Sequence, residues 1–109
     1  MSKHIYIAGP MKGLPEFNYP AFNSTEERLK KLGYNVVNPV KLSGEITPEE
    51  LDANYDLLTS VMNKEQRSIA QCDSIYLLRG WEKSKGARKE LAIAIMLNLE
   101  IILEERQDA

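Results

Sequence analysis

Residues 74–97, "SIYLLRGWEKSKGARKELAIAIML", contain a short apolar run, a basic loop and a longer apolar run with helical spacing. The first run, Ser74 to Leu78, predicts a buried strand. The second run, "ARKELAIAIMLNL", predicts a helix. A strand that passes through a short loop into a helix is the repeating unit of a parallel α/β sheet, so this stretch indicates the fold class of the chain.

The segments on the N-terminal side repeat the same alternation. "HIYIAG" predicts a first strand that ends at Gly9 and Pro10. A helix is expected from about Pro20 to the C-terminal cap Gly33, followed by a second strand in "YNVVNP". Residues 41–47 have the composition of a loop, and "TPEEL" has the cap, proline and acidic residues of a helix start.

Residues 51–71 carry apolar side chains at helical spacing and predict one long helix, or two helices with a break. These apolar side chains are Leu51, Tyr55, Leu58, Met62 and Ile69. "EIILE" predicts a final strand, and "ERQDA" at the end of the chain predicts a frayed terminus.

This alternation predicts a three-layer α/β/α sandwich, flavodoxin-like or Rossmann-like, with a four- or five-stranded parallel sheet. The chain has 109 residues, of which 43% are hydrophobic, so we expect a single domain over residues 1–109. Ligands bind such sheets beyond the carboxyl ends of the strands. The candidate binding loops are therefore residues 9–19, 38–47 and 79–86.

Composition and charge narrow the classes of function. The net charge is −2 and the sequence pI is about 5.5, which favours neither nucleic acid nor an anionic membrane as a partner. No apolar stretch approaches the roughly 20 residues of a membrane-spanning helix, and we expect a cytoplasmic protein. His4 and Cys72 are the single residues of their kinds, so the sequence predicts no zinc site and no histidine-dependent nucleophile. Catalysis would have to use carboxylates, hydroxyls and backbone groups.

The loop after the first strand, "AGPMKG", contains neither the dinucleotide fingerprint nor the phosphate-binding motif of NTPases. Gly9 would let the backbone approach a ligand closely, and Pro10 would fix the turn. A strand that ends in Gly-Pro is more often only a turn. We nevertheless take four residues of this loop as candidate substrate contacts: Ala8, Gly9, Pro10 and Met11.

The loop after the third strand, "GWEKSKGARKE", predicts an anion site. Ser84 is a plausible N-terminal cap for the helix that follows, and free helix N–H groups beside Lys85 and Arg88 would suit a phosphate. The same lysines would equally suit a solvated surface loop. Trp81 would either stack on a base or pack against the sheet edge, and packing is the favoured interpretation.

Glu90 lies in the second turn of that helix, where the helix dipole is expected to help keep a carboxylate ionised. An ionised carboxylate can attack the anomeric carbon of a sugar and form a covalent glycosyl-enzyme. Judged from the residues alone, a glutamate at this position is more often a solvated surface residue than a nucleophile.

Taken together in order, five segments resemble the nucleoside 2-deoxyribosyltransferase-like superfamily, and in particular a small branch common in phages and prophages. The matching segments are "IYIAGPM" with "GLP", "NYPAFN", "GYNVVNP", "QCDSIYLLRGWEKSKGARKE" and the apolar positions after it. The resemblance implies that Glu90 is the nucleophile, with Gly86 four residues before it. It implies that Tyr6 orients the nucleophile. Glu65, at a position where aspartate is more usual, would assist at the leaving base.

At the position of Ser84, the transferases of this superfamily generally carry aspartate. The related 2'-deoxynucleoside 5'-phosphate N-hydrolases carry a serine there, which contacts the 5'-phosphate. With Lys83, Lys85 and Arg88 nearby, Ser84 favours a phosphorylated substrate. The resemblance also implies no metal or organic cofactor, and a homodimer or higher homo-oligomer.

The sequence therefore predicts an enzyme that cleaves or exchanges the N-glycosidic bond of a (deoxy)nucleoside or its 5'-monophosphate through a glycosyl-glutamate intermediate. The expected partner is a small-molecule nucleoside or nucleotide. A nucleotide-binding module without catalysis, which sequesters or senses a nucleotide, is the alternative. A purely structural or interaction protein would leave the spacing from Gly86 to Glu90 unexplained.

Overall fold

The computed structural model describes residues 3–42 and 47–104. Most of the predicted loop 41–47 and the predicted frayed end "ERQDA" lie outside these residues. The described residues form a four-stranded sheet in which every neighbouring pair of strands is parallel. The strands are β1 (His4–Ala8), β2 (Asn35–Val37), β3 (Ser74–Leu77) and β4 (Glu100–Leu103), in the order β2-β1-β3-β4. The predicted parallel α/β class is confirmed, with four strands.

Helices cover both faces of the sheet. They are α1 (Tyr19–Lys31), α2 (Pro39–Leu42), α3 (Pro48–Ala53), α4 (Tyr55–Ala70) and α5 (Lys85–Met96), with 3-10 turns at Pro15–Asn18 and Trp81–Lys83. Ile5 and Ile7 of β1 pack with Phe22 and Leu29 of α1 on one face. On the other face, β1 residues pack against α4 and α5.

Successive side chains of β1 point to opposite faces of the sheet, so alternate residues face the two helix layers. Tyr6 and Ala8 belong to the same buried cluster as Ile69 of α4 and Ala94 of α5. Tyr6 has no solvent-exposed surface. A tyrosine in the centre of the sheet is thereby directed into the layer that carries both candidate carboxylates.

One local prediction was wrong, and the choice left open for residues 51–71 is decided in favour of two helices. Pro39–Leu42, predicted as loop, forms a helical turn, because Asn38 Oδ1 accepts a hydrogen bond from Val40 N and Pro39 occupies the first helical position. Residues 51–71 form two helices, with the break at Asn54, whose side chain accepts a hydrogen bond from Leu57 N. Tyr55, at the start of the second helix, is 79% exposed and takes no part in the apolar face.

The predicted caps at Thr47 and Gly33 are confirmed. Thr47 Oγ1 accepts a hydrogen bond from Glu50 N at the start of α3, and Gly33 has a φ of +98° just after α1. Cys72 is buried at the junction of α4 and β3, and burial raises the pKa of its thiol to about 11. His4 is exposed at the start of β1. Among the described residues, every helix is too short or too polar to cross a lipid bilayer.

A buried carboxylate ties α1 to the segment that follows β2. Glu26 is 5% exposed, and its two oxygens lie 2.7 Å from Lys30 Nζ and 2.7 Å from Lys41 Nζ. Asn38 Nδ2 also donates to Glu26 Oε1 at 3.1 Å. Burial raises the pKa of Glu26, but the hydrogen bonds from these three partners outweigh it and lower the pKa to about 2.

We expect Glu26→Gln to lower the free energy of unfolding by about 1–3 kcal/mol at neutral pH. The loss is limited because Lys30 and Lys41, which would lose their charged partner, are largely exposed to solvent. The folded pKa is below the unfolded value, so this contribution is present above about pH 4.5 and is lost as the pH falls toward about 2. Urea unfolding of the wild type and of Glu26→Gln across this pH range measures the contribution of Glu26 to stability. A difference in stability that does not shrink in acid would contradict the assignment.

Candidate active site

A cavity of about 800 Å³ opens beyond the carboxyl ends of β1 and β3. From β1 the chain passes through α1 to β2, and from β3 it passes through α5 to β4 on the other side of the sheet. The loops after the two central strands therefore diverge, which is the usual position of a ligand site in such a sheet. Loop 9–14, helices α3 and α4, and the first turns of α5 form the walls.

The loop after β1 packs tightly against the end of β3. A Cβ atom on Gly9 would lie 2.8 Å from the Cβ of Leu78, so a larger residue would push the two segments apart. Leu78 N also donates a hydrogen bond to the Ala8 carbonyl oxygen at 2.8 Å. The close approach expected at Gly9 is thus made to Leu78 of the protein itself, although Gly9 also lines the cavity.

Three side chains from three elements meet at the cavity, where Glu65 and Glu90 line the wall and the fully buried Tyr6 lies behind them. The Tyr6 hydroxyl lies 2.5 Å from Glu90 Oε2 and 3.2 Å from Glu65 Oε2. A hydroxyl has one proton to donate, and the shorter distance assigns that hydrogen bond to Glu90. Burial and the two carboxylates raise the pKa of Tyr6 well above 10, so the hydroxyl stays a donor.

The two carboxyl groups share a low-dielectric site and resist double ionisation. The pKa of Glu90 is raised well above its ordinary value, first by burial and then by the charge of Glu65, although the hydrogen bond from Tyr6 opposes the rise. Burial also raises the pKa of Glu65, while a hydrogen bond from Glu90 and the nearby Tyr6 hydroxyl oppose the rise. The pair therefore retains a proton to higher pH than separate carboxyl groups would.

This corrects the expectation that the helix dipole keeps Glu90 ionised. Glu90 lies in the second turn of α5, and the effect of the dipole falls off within the first turn. Burial and the neighbouring Glu65 act on the same group in the opposite direction and are the larger effects.

Most of the predicted site residues line the cavity. Ser84 caps α5, and its Oγ accepts a hydrogen bond from Ala87 N at 3.2 Å. Gly86 lies one turn before Glu90 on the same helix face, and an added Cβ there would meet only Ser84 Oγ, at 3.9 Å. A side chain at Gly86 would therefore project into open space at the cavity lining. The other predicted residues on the cavity wall are Gly9, Pro10, Met11, Lys85 and Glu65.

Three predicted contacts lie elsewhere. Ala8 is fully buried in the sheet. Arg88 lies two residues from both Gly86 and Glu90, which places it on a different helix face, and it is exposed outside the cavity lining. Trp81 packs against the buried cluster of Tyr6 and Ile75, in agreement with the favoured interpretation. Trp81 also borders a separate recess of about 320 Å³ beside Leu103 and Glu104.

Other residues of the cavity were not singled out from the sequence. Lys12, Arg79 and Lys89 add positive charge to its lining. Apolar side chains also line the cavity, and Gln66 adds a polar group beside Glu65. The helical spacing of Leu58, Met62 and Glu65 could have predicted that α4 contributes to the site, because it places all three on one face. The main apolar residues of the lining are Met11, Leu14, Pro48, Leu51, Leu58 and Met62.

Comparisons with known proteins agree with this architecture. A family model described as "Domain of unknown function (DUF4406)" matches residues 3–103, and the chain belongs to this family. A search of curated proteins found no significant match. Among solved structures, a 2-deoxyribosyltransferase from the psychrotolerant bacterium Bacillus psychrosaccharolyticus aligns with a TM-score of 0.72. The alignment covers 92% of this chain and 70% of that protein at 20% sequence identity, and it shows a common fold.

Proposed function

We propose that this member of the DUF4406 family cleaves or exchanges the N-glycosidic bond of a (deoxy)nucleoside or its 5'-monophosphate. The observation that carries the proposal is the meeting of Glu90, Glu65 and the Tyr6 hydroxyl at the wall of a cavity large enough for a nucleotide. The common fold with a 2-deoxyribosyltransferase supports the same class of reaction.

In the proposed first step, the single proton of the pair passes from Glu90 to Glu65, which leaves Glu90 ionised and Glu65 protonated. An oxygen of Glu90 forms a bond to C1' of the sugar while the bond from C1' to the base nitrogen breaks. The base takes both electrons of that bond, and Glu65 or a water molecule gives it a proton. Tyr6 holds the attacking carboxylate through its hydrogen bond to Glu90.

In the second step, water or another base attacks C1' from the vacated side. The bond between C1' and Glu90 breaks, and Glu90 leaves as a carboxylate. The proton of the attacking water or base passes to the now ionised Glu65, which restores the single proton of the pair. Hydrolysis and base exchange differ only in the nucleophile of this step.

The lining of the cavity suits the parts of a nucleotide. The apolar side chains of Leu51, Leu58 and Met62 would pack against the flat face of a base. Ser84 and Lys85, at the N-terminus of α5, would bind a 5'-phosphate through charge-assisted hydrogen bonds. Glu90 would then lie beside the sugar between them.

A chromatographic assay for free base tests the proposal. The protein is incubated with each deoxynucleoside and each deoxynucleoside 5'-monophosphate, with and without a second base. Release of base, or formation of an exchanged nucleoside, supports the proposal. Saturable binding of nucleotides with no base release would contradict it and would assign the protein to the non-catalytic nucleotide-binding modules.

The residue at position 84 is expected to control the preference for a phosphate. Ser84→Asp retains an oxygen that can cap α5 but adds a negative charge next to the proposed phosphate site. We expect kcat/KM for monophosphates to fall about 10-fold to 100-fold, with little change for free nucleosides. The ratio of the two kcat/KM values measures the effect, and Ser84→Thr, which keeps the hydroxyl, is the matched control. An unchanged ratio in Ser84→Asp would remove Ser84 from the phosphate site.

Three further expectations stay predictions: a cytoplasmic location, a homodimer or higher homo-oligomer, and membership in the phage and prophage branch. Apolar side chains exposed near β4 and the end of α5 support self-association. These side chains are Ile95, Met96, Ile101 and Leu103.

A further inference from the structure

The outer edge of β4 is open within the described part of the chain. In the order β2-β1-β3-β4, β4 has a neighbouring strand on one side only. The backbone N–H groups of Glu100 and Glu104 donate hydrogen bonds toward the β3 side. Successive residues of a strand direct these groups to opposite sides, so the N–H and C=O groups of Ile101 and Leu103 point to the open edge. They form a row to which a further strand can pair.

The two edges of the sheet differ in how they are protected from pairing. The opposite edge strand, β2, has only three residues and is followed closely by Pro39. Short length and proline are two features that keep an edge from pairing. β4 has four residues and contains neither proline nor lysine. Its one charged side chain, Glu100, already accepts a hydrogen bond from Ser74 Oγ at 3.0 Å. The edge of β4 is therefore the one suited to pairing.

Exposed apolar side chains lie along the same edge. Ile101 and Leu103 are in register with Ile75 and Leu77 of β3, which belong to the buried cluster beneath α5. Side chains in register point to the same face, so Ile101 and Leu103 lie on the α5 face of the sheet. They are 43% and 57% exposed. A strand paired to this edge would cover apolar surface as well as form hydrogen bonds.

α5 adds an apolar side chain on its side away from the cavity. Ile93 lines the cavity, and Ile95, two residues later, lies about 200° farther around the helix axis. Ile95 is 55% exposed. Helix α4 packs on the cavity side of α5, so Ile95 lies on the side toward β4. The apolar surface at this edge is thus separate from the candidate active site.

We propose that β4 pairs antiparallel with β4 of a second copy of this chain, across a two-fold axis at Ile101. Each Ile101 N–H would donate to the Ile101 carbonyl oxygen of the other copy, and each Leu103 N–H to the other Leu99 carbonyl oxygen. The pairing has four hydrogen bonds, and it joins the two sheets into one of eight strands. Ile101 then packs against its own copy and Leu103 against Leu99.

Charge selects this register. The nearest alternative has its axis at Ile102 and would set Glu100 directly opposite Glu104 of the other copy, twice. Like charges in that position destabilise a strand pair. In the proposed register Glu100 lies opposite Ile102. A second copy also suits the edge better than β2 of another molecule, because the pairing of β4 with itself closes at two subunits, whereas pairing of β4 with β2 is heterologous.

Sedimentation velocity over a range of protein concentrations tests the pairing. We expect the wild type to form a dimer with a Kd of about 10 µM or below. Ile101→Lys places two positive charges opposite each other at the axis and should raise this Kd at least about tenfold. Leu32→Lys is the matched control, because Leu32 is 69% exposed at the end of α1, on the other face of the sheet. It should leave the Kd unchanged.

Cross-linking tests the register. Across the axis the two Ile101 Cα atoms would be about 5.5 Å apart, within the range of a disulfide. Each Leu103 would lie two residues from the axis, so the two copies would be about 13 Å apart. Oxidation should therefore link Ile101→Cys into a covalent dimer and leave Leu103→Cys unlinked. The wild type, whose Cys72 is buried, is the control for cross-linking elsewhere.

A wild type that stays monomeric up to about 100 µM would overturn the inference and leave this edge to a strand of a different protein. A dimer that Ile101→Lys does not weaken would place the interface elsewhere and also overturn it. A disulfide in Leu103→Cys but not in Ile101→Cys would contradict the proposed axis. Each of these results leaves the proposed function standing, because the edge lies away from the cavity.

Discussion

Replacement of Glu90 by glutamine is expected to reduce base release by at least about 10⁴-fold, because the amide cannot form the covalent bond to C1'. Glutamine has nearly the same shape, and its amide oxygen can still accept the hydrogen bond from Tyr6. Binding of substrate should therefore survive. Single-turnover measurements of base release, with binding measured separately, distinguish lost chemistry from lost affinity.

The same substitution is expected to stabilise the fold at neutral pH. The folded pKa of Glu90 is raised above the unfolded value, so the protonated form favours the folded state. The stability of the wild-type protein should fall as the pH rises from about 4.5 through the folded pKa, and glutamine removes this loss. We expect a gain of about 0.5–2 kcal/mol, measured by urea unfolding at about pH 5 and about pH 8.

Glu90→Asp is the matched control for these effects. It keeps the charge but shortens the side chain, so it should retain the pH dependence of stability while losing most of the activity. Unchanged base release in Glu90→Gln would contradict the assignment of the nucleophile. Equal stability of the wild type and the variant at both pH values would contradict the raised pKa of this carboxyl group.

Glu65→Gln is expected to reduce base release about 10²-fold to 10⁴-fold, because the variant cannot protonate the departing base. Glutamine cannot accept the proton of the attacking nucleophile in the second step either. The loss should be much smaller with an N7-methylated purine nucleoside, because its base is already cationic and leaves without a proton. Comparison of kcat/KM for the methylated and ordinary substrates measures this difference.

The dependence of activity on pH supplies a second test of the role of Glu65 as a proton donor. Activity requires Glu90 to be ionised and Glu65 to be protonated, so the wild-type profile should be bell-shaped, with apparent pKa values that belong to the pair. The alkaline limb reports the loss of the single proton of the pair, in which burial raises the pKa of both carboxyl groups. This limb should be absent in Glu65→Gln. An equal loss of rate for both substrates, with the alkaline limb retained, would assign Glu65 a structural role instead.

The order of strands and helices could be predicted because apolar runs and helix caps are local features. Ser84, Thr47 and Gly33 mark helix ends through hydrogen bonds or backbone angles that involve only a few neighbouring residues. The short helix at Pro39–Leu42 was missed even though Asn38 and Pro39 form the usual start of a helix. Their position directly after a strand favoured a loop instead.

The parts of the site that depend on tertiary structure were harder to predict. The sequence spacing places Gly86 and Glu90 on one helix face, but the protonation of Glu90 depends on Glu65, 25 positions earlier in the chain, and on burial. Lys12 comes to the cavity from a different loop, so no local pattern relates it to Lys89. Arg88 was expected at the phosphate because of its charge, and the helical period directs it elsewhere.

The central claim is that Glu90 forms a covalent bond to the sugar. A substrate with fluorine at C2' tests it, because the electron-withdrawing atom destabilises the positive charge that develops at C1' and slows both steps. We expect acid-quenched samples to show a protein mass increased by that of the fluorinated sugar, attached to the peptide that contains Glu90. Release of base with no adduct in rapidly quenched samples, or an adduct on another residue, would contradict the account.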